Sequence, residues 1–405
     1  MAEKPTVHVA IPAMNELESL PRTLDCIVKQ DYQNYEVWIC VNQPESYWND
    51  TKKQAICDNN AKTLNLLDKS GLRNLHVIDH SSKACGWVGK MHGVGMARKV
   101  LMDTISKNAN DSDIILSLDA DTSFESGYFG SVGNVFENHP KTVALSNPYY
   151  HPLSGDEPLD RAMLRYEIFM RHYAINLWRI QSPYSFTALG SAIAVPVYSY
   201  RRIGGMTPKK SGEDFYFLQK LRKLGPIANY NTHKVYPATR YSDRVFFGTG
   251  PALIKGSQGD WHSYPIYDYK LFDQVAETYK AFPVLYDQQA ETRLVNHLNQ
   301  QFGEADIIEP LRRNFRTREQ FVKACHHKID GLRILQYLKY EQSKTVYNNE
   351  QNLKDFLERF HPEVFRNLEK TLSIIDFATT PIPRINEIRD ALAELEMTCQ
   401  KTIAL

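Results

Sequence analysis

Short β-rich runs alternate with helical spacing through the first half of the chain. The architecture that buries every apolar face of such an alternation is a mainly parallel sheet covered by helices. The runs fall at 7–11, 36–41, 75–79, 114–118 and 142–145. Between the first two, Leu20, Leu24, Ile27 and Val28 recur at helical spacing, with Pro21 near the start, where a missing amide costs nothing. Helical spacing resumes over 91–102, and Met163, Tyr166, Met170, Tyr173 and Leu177 form one stripe of the kind that packs into a core. A further strand is expected over 191–195, and a helix over 213–224, stopped by Gly225 and Pro226.

From about residue 256 the alternation gives way to helical segments rich in aromatic and charged residues, so a first domain over 1–255 and a mainly helical extension over 256–405 are expected. Ile334, Leu335 and Leu338 mark one amphipathic helix there, and Ile385, Ile388, Leu392 and Leu395 another. The length of 405 residues and 42% hydrophobic content supply a core of this size. Lysine and arginine number 48 against 47 aspartate and glutamate, which gives no global attraction to nucleic acid, and none is expected as a partner. The six cysteines are scattered without CxxC pairs, which speaks against a zinc ribbon and a disulfide framework. No apolar stretch is long enough for a signal peptide or a membrane span, and the expected location is the cytoplasm.

The chemistry concentrates at the end of the fourth run. Residues 114–118 lead directly into Asp119, Ala120 and Asp121. In an open α/β sheet, ligands sit at the carboxyl ends of strands. Two carboxylates one residue apart there can reach one hard cation, Mg²⁺ or Mn²⁺, which in turn bridges phosphate oxygens. A cation so placed would stabilise a departing diphosphate. The same residues with Thr122 also fit a DxDxT pattern, the mark of haloacid-dehalogenase-like phosphotransferases, in which Asp119 would be the nucleophile. That motif normally follows the first strand of its domain, whereas here about four strands precede it.

The first run ends in Pro12, Ala13, Met14, Asn15 and Glu16, which resembles the PxxNE opening of family 2 glycosyltransferases. Further features follow in the order that family shows: Asn42 after the second strand, Gly89 and Lys90 before a helix, the Asp119/Asp121 pair, an acceptor-side strand within 190–195, Gly204 with Gly205, and Glu213 with Asp214. The resemblance covers roughly the first 250 residues, and ordered motifs are more specific together than singly. It implies a GT-A fold, with Pro12, Asn15, Glu16 and Asn42 at the nucleotide and Lys90 near the base or phosphates. The family often has an aspartate where this chain has Asn42, so the choice between UDP-type and GDP-type donors stays open.

Inverting transfer needs a base for the acceptor hydroxyl. By the resemblance, Asp214 takes that role, with Glu213 as its neighbour. Downstream, Arg240 and Arg244 lie in a Gly-bearing polar run suited to bidentate phosphate contacts, and His233 is a candidate third metal ligand beside Asp119 and Asp121. The reading is metal-assisted, inverting transfer of a sugar from a nucleotide-sugar donor to a saccharide or other hydroxyl acceptor. Its competitors are the phosphotransferase and a non-catalytic nucleotide-sugar-binding protein.

Overall fold

The computed structural model describes residues 4–242 and 248–402. The strands are β1 (Val7–Ala13), β2 (Tyr35–Asn42), β3 (Leu75–His80), β4 (Ile114–Ser117), β5 (Thr122–Phe124), β6 (Ala144–Ser146), β7 (Ile193–Pro196), β8 (Ile227–Ala228) and β9 (Val235–Pro237). Seven of them form one sheet in the order β3-β2-β1-β4-β7-β6-β8, while β5 and β9 pair separately. Strands β1, β2, β3 and β4 run parallel, and β7 lies antiparallel to both β4 and β6. All seven residues of β1 are buried, as a strand between two parallel neighbours requires.

The chain is therefore a mixed α/β fold, with a mostly parallel sheet flanked by helices and a helical C-terminal region. The first helices are α1 (Leu20–Val28), α2 (Gln54–Asp68), α3 (Val94–Asn108), α4 (Tyr128–Asn138), α5 (Glu157–Arg179), α6 (Val197–Arg202) and α7 (Glu213–Leu224). Helix α3 begins three residues later than its spacing suggests, because Gly89 and Gly93 adopt left-handed φ values of 79° and 97°. That conformation is cheap only for glycine, and it delays the first turn.

Two compact units result. One comprises the described residues up to Met163, then Phe186–Gln258 and the last described residues from Gln400. The other comprises Leu164–Ser185 and Gly259–Cys399. This second unit is discontinuous in sequence, because most of α5 is counted in it. Leu164, Ile168 and Ile175 of α5 share one buried cluster with Leu353, Phe356, Leu372, Ile385, Ile388 and Leu392. Each such side chain contributes about 1.5–3 kcal/mol on burial. The same unit encloses a ladder of charges: Glu167 accepts from Arg171 at 2.5 Å and from Arg389 at 3.1 Å, and Arg171 also reaches Glu396 at 2.5 Å. Among the described residues, no helix is long and apolar enough to cross a membrane.

Candidate active site

The carboxyl end of β4 meets the start of α7 in the first unit, and a side chain that no motif marks ties them together. Arg98, on α3, is 3% exposed. Its Nη2 donates to Asp119 Oδ1 at 2.5 Å, its Nε to Glu213 Oε1 at 3.1 Å, and its Nη1 to Ser117 Oγ at 2.6 Å and the Gly190 carbonyl at 2.9 Å. The fork thus joins the last residue of β4, the turn beyond it, the approach to β7 and the first residue of α7. Burial opposes the charge on Arg98, but Asp119, Glu213 and Asp214 more than offset it and hold the guanidinium protonated. A Cβ at position 190 would lie 2.2 Å from Arg98 Nη2, so a larger residue there must displace the fork.

Asp119 remains 38% exposed and can therefore face a ligand. The turn carrying it is pinned from α1, where the Thr23 hydroxyl lies 2.9 Å from the Ala120 carbonyl and 3.0 Å from that of Thr122. Asp121 is drawn to a different arginine. The antiparallel register of β5 and β9 sets Thr122 opposite Pro237, so the residues just beyond Pro237 approach Asp121. Arg240 Nε donates to Asp121 Oδ2 at 2.6 Å, and Arg240 Nη2 donates to Glu16 Oε1 at 2.5 Å. One guanidinium therefore links the PxxNE loop to the aspartate pair. The other expected phosphate ligand of that run, Arg244, lies outside the described residues.

The same register carries the proposed third ligand, His233, to the far end of the ribbon. Phe124 stands opposite Val235, and His233 Nδ1 comes within 2.8 Å of Glu125 Oε2, with its ring against Gly127. Among the described residues, no group of three or more His, Cys, Asp and Glu side chains is gathered as a metal site. Asp119 and Asp121 are still hard oxygen donors at a strand end, and they are the residues that would hold a Mg²⁺ or Mn²⁺.

The PxxNE loop is held in a sparsely populated conformation. Asn15 has φ 61°, its N–H donates to Asn60 Oδ1 at 2.8 Å, and the Leu17 N–H donates to Asn59 Oδ1 at 3.2 Å. Left-handed backbone at a non-glycine residue costs about 1–3 kcal/mol and gathers at functional sites. Pro12 is buried, in register with Cys40. Asn42 is 2% exposed and its amide is used within the protein: Nδ2 donates to the Ala13 carbonyl at 3.0 Å, and Oδ1 accepts from Trp87 Nε1 at 3.3 Å. Its side chain supports the end of β1. Lys90 is exposed, between the left-handed Gly89 and Gly93 that precede α3.

Glu213 and Asp214 open α7 after Gly212, whose φ of 70° turns the chain into the helix. The Asp214 carboxylate accepts from its neighbour's amide, Phe215 N–H, at 2.7 Å. Burial, reinforced by the adjacent Glu213 carboxylate, pushes Asp214 up to about 7, and Arg98 pulls in the opposite direction. A carboxyl group poised there can take up a proton at neutral pH.

No protein-family model matches the chain. No curated protein matches it either. Among solved structures, it is similar to residues 1–349 of S. aureus TarS in complex with UDP-GlcNAc, at 13% identity and a TM-score of 0.40, over 98% of this chain and 91% of that one. It is also similar to the mannosyltransferase PcManGT from Pyrobaculum calidifontis in complex with GDP-Man and Mn²⁺, at 16% identity and a TM-score of 0.33, over 96% and 86% of the two chains.

Proposed function

We propose that the chain is a GT-A glycosyltransferase that moves a sugar from a UDP-type or GDP-type donor to an acceptor hydroxyl with inversion. The observation that carries this reading is the Arg98 fork, which sets Asp119 at the strand end and Glu213 beside Asp214 around one buried cation. A base poised near neutrality and a carboxylate that can hold a cation at the diphosphate share one anchor.

In this mechanism Asp214 takes the proton of the acceptor hydroxyl, whose oxygen bonds to the anomeric carbon as the bond from that carbon to the diphosphate oxygen breaks. The electron pair of the broken bond leaves on the diphosphate. Arg240 neutralises part of that charge from its place beside Asp121. A divalent cation held by Asp119 and Asp121 would supply Lewis-acid stabilisation of the same leaving group. The phosphotransferase alternative needs a nucleophilic Asp119, yet one oxygen of that carboxylate is held at 2.5 Å by a buried guanidinium. Such pairing lowers its nucleophilicity.

A panel of nucleotide sugars screened by thermal shift, with and without Mn²⁺, identifies the donor through selective stabilisation. Asp214→Asn should then lower transfer about 10²–10⁴-fold while donor binding persists. Full transfer by that variant, or a phosphate-mimic adduct on Asp119, would refute the assignment.

A further inference from the structure

The end of β3 carries a cluster of rings that takes no part in the transfer chemistry. Asn42 and His80 are the last residues of β2 and β3 and stand opposite one another in the parallel register. Asn42 is spent on the protein, for its amide joins the Ala13 carbonyl to Trp87 Nε1. The buried Trp87 indole in turn covers one face of the His80 ring, with centroids 3.8 Å apart and planes 23° from parallel. On the edge of that ring, His80 Nδ1 lies 3.1 Å from the Cys85 carbonyl. A carbonyl can only accept, so in the neutral imidazole Nδ1 carries the proton and Nε2 is a bare acceptor. His80 is half-buried, and its Nε2 meets no hydrogen-bonding group among the described residues.

The loop that delivers Cys85 and Trp87 is stiff. Glu45 accepts from Ala84 N–H at 2.9 Å and from Gly86 N–H at 2.8 Å, Ala84 is held at φ 70°, and the Trp87 backbone is hydrogen-bonded to Gln43 and Glu45. An imidazole fixed by a stack on one face and a carbonyl on one edge presents one acceptor in one direction, which is the preorganisation that recognition needs. The same rim is joined to the PxxNE loop, because Asn60 accepts from Asn15 N–H at 2.8 Å and donates to the Asn42 carbonyl at 3.2 Å. An open α/β sheet takes its ligand at this edge.

We infer that His80 is a specificity-determining residue for the donor base, its Nε2 taking the imino N–H of uracil or guanine and repelling the bare ring nitrogen that cytosine or adenine carries at the matching place; this rests on the donor assignment above. The reasoning is one of donors and acceptors. Asn42, the residue at which the resemblance sets the nucleotide, is turned to Ala13 and Trp87 and offers nothing outward. Asp79, one residue before His80, is occupied in capping the turn at Ser81 and Ser82, at 2.8 and 2.9 Å. The neighbouring strand end supplies an acceptor through His80 instead. A neutral imidazole so tethered cannot turn its N–H toward the ligand without breaking its bond to Cys85, so it rejects a base that presents a lone pair.

Calorimetric titration of the full chain with nucleoside diphosphates, the base being the only variable, tests this. The wild-type chain should bind UDP or GDP about tenfold more tightly than CDP and ADP, and methylation of the imino nitrogen, in 3-methyl-UDP or 1-methyl-GDP, should remove the same factor. His80→Phe keeps the stack on Trp87 without an acceptor, and His80→Asn keeps a donor at the Nδ1 position without Nε2. In both variants the preferred base and its methylated form should bind within about twofold of one another, because the hydrogen bond that told them apart is gone. General loosening of the loop would weaken every nucleotide alike and leave the ratios standing. The methylated probes act on the wild-type chain and do not depend on either variant folding. Equal wild-type affinity for the methylated and unmethylated base, or ratios that survive in the variants, would overturn the role of His80 while the donor assignment stands. If the wild-type chain binds none of these nucleotides, both fall together.

Discussion

Replacing Arg98 by glutamine removes the cation shared by buried Glu213 and half-exposed Asp119 and keeps a polar side chain in the helix. The loss can be worked from the contacts. Two ion pairs, to Asp119 at 2.5 Å and Glu213 at 3.1 Å, disappear along with the donors to Ser117 and Gly190. Breaking a buried ion pair by deleting one partner costs about 3–5 kcal/mol, because the other partner is left charged and desolvated. A unit of this size melts about 2–4 °C lower per kcal/mol, so the transition of the first unit should fall by roughly 10 °C at neutral pH. The pH dependence makes the test specific. Without Arg98, which pulls it down, the carboxyl group of Asp214 has a folded pKa further above its unfolded one. Stability from such groups is full below the unfolded value and is lost as pH rises through the folded value. The deficit of the variant should therefore be largest at pH 7.5 and should shrink at pH 5, where Asp214 is protonated. Chemical denaturation of both proteins at the two pH values measures it. A deficit below about 1 kcal/mol, the scale of an ordinary surface ion pair, or one that does not change with pH, would refute the account of Arg98 as the shared counter-charge.

The remaining expectations are narrower. Gly190→Ala brings a methyl group within 2.2 Å of an arginine fixed by four hydrogen bonds, and differential scanning calorimetry should show a loss of about 1–3 kcal/mol from overpacking. An unchanged melting temperature would mean that Arg98 moves freely. In the wild-type chain the raised pKa of Asp214 should make the first unit lose stability as pH rises through about 7. Asp214→Asn should remove that slope, melting at or above wild type at pH 8, and parallel slopes would contradict the burial of its charge.

Much of the sheet was legible because β1, β2 and β4 are nearly continuous apolar runs, which few other contexts tolerate. The helix of Glu213–Leu224 was equally plain from its acidic start and its Gly-Pro stop. Arg98 was not found, although a signal existed: it shares the buried face of α3 with Ala97, Leu101, Met102 and Ile105, and a charge on an apolar stripe needs a partner. The place of His233 could not be read, since it depends on three-residue strands more than a hundred positions apart. Such pairing leaves no local periodicity. The positions of Asn42 and Trp87 were hidden for a similar reason, because their hydrogen bond joins a strand end to a distant loop.

Helix α5 has a consequence for how the protein is made. Ile168 leaves the ribosome long before Leu353 and Ile388, the residues with which it is finally buried. At about 5–20 residues per second, that interval lasts roughly 10–40 s. For that time the nascent polypeptide carries an oily helix with no permanent neighbour. Chaperone capture at this stage, and insolubility of a fragment ending near residue 258, are the costs of a globule whose two sequence segments are synthesised so far apart.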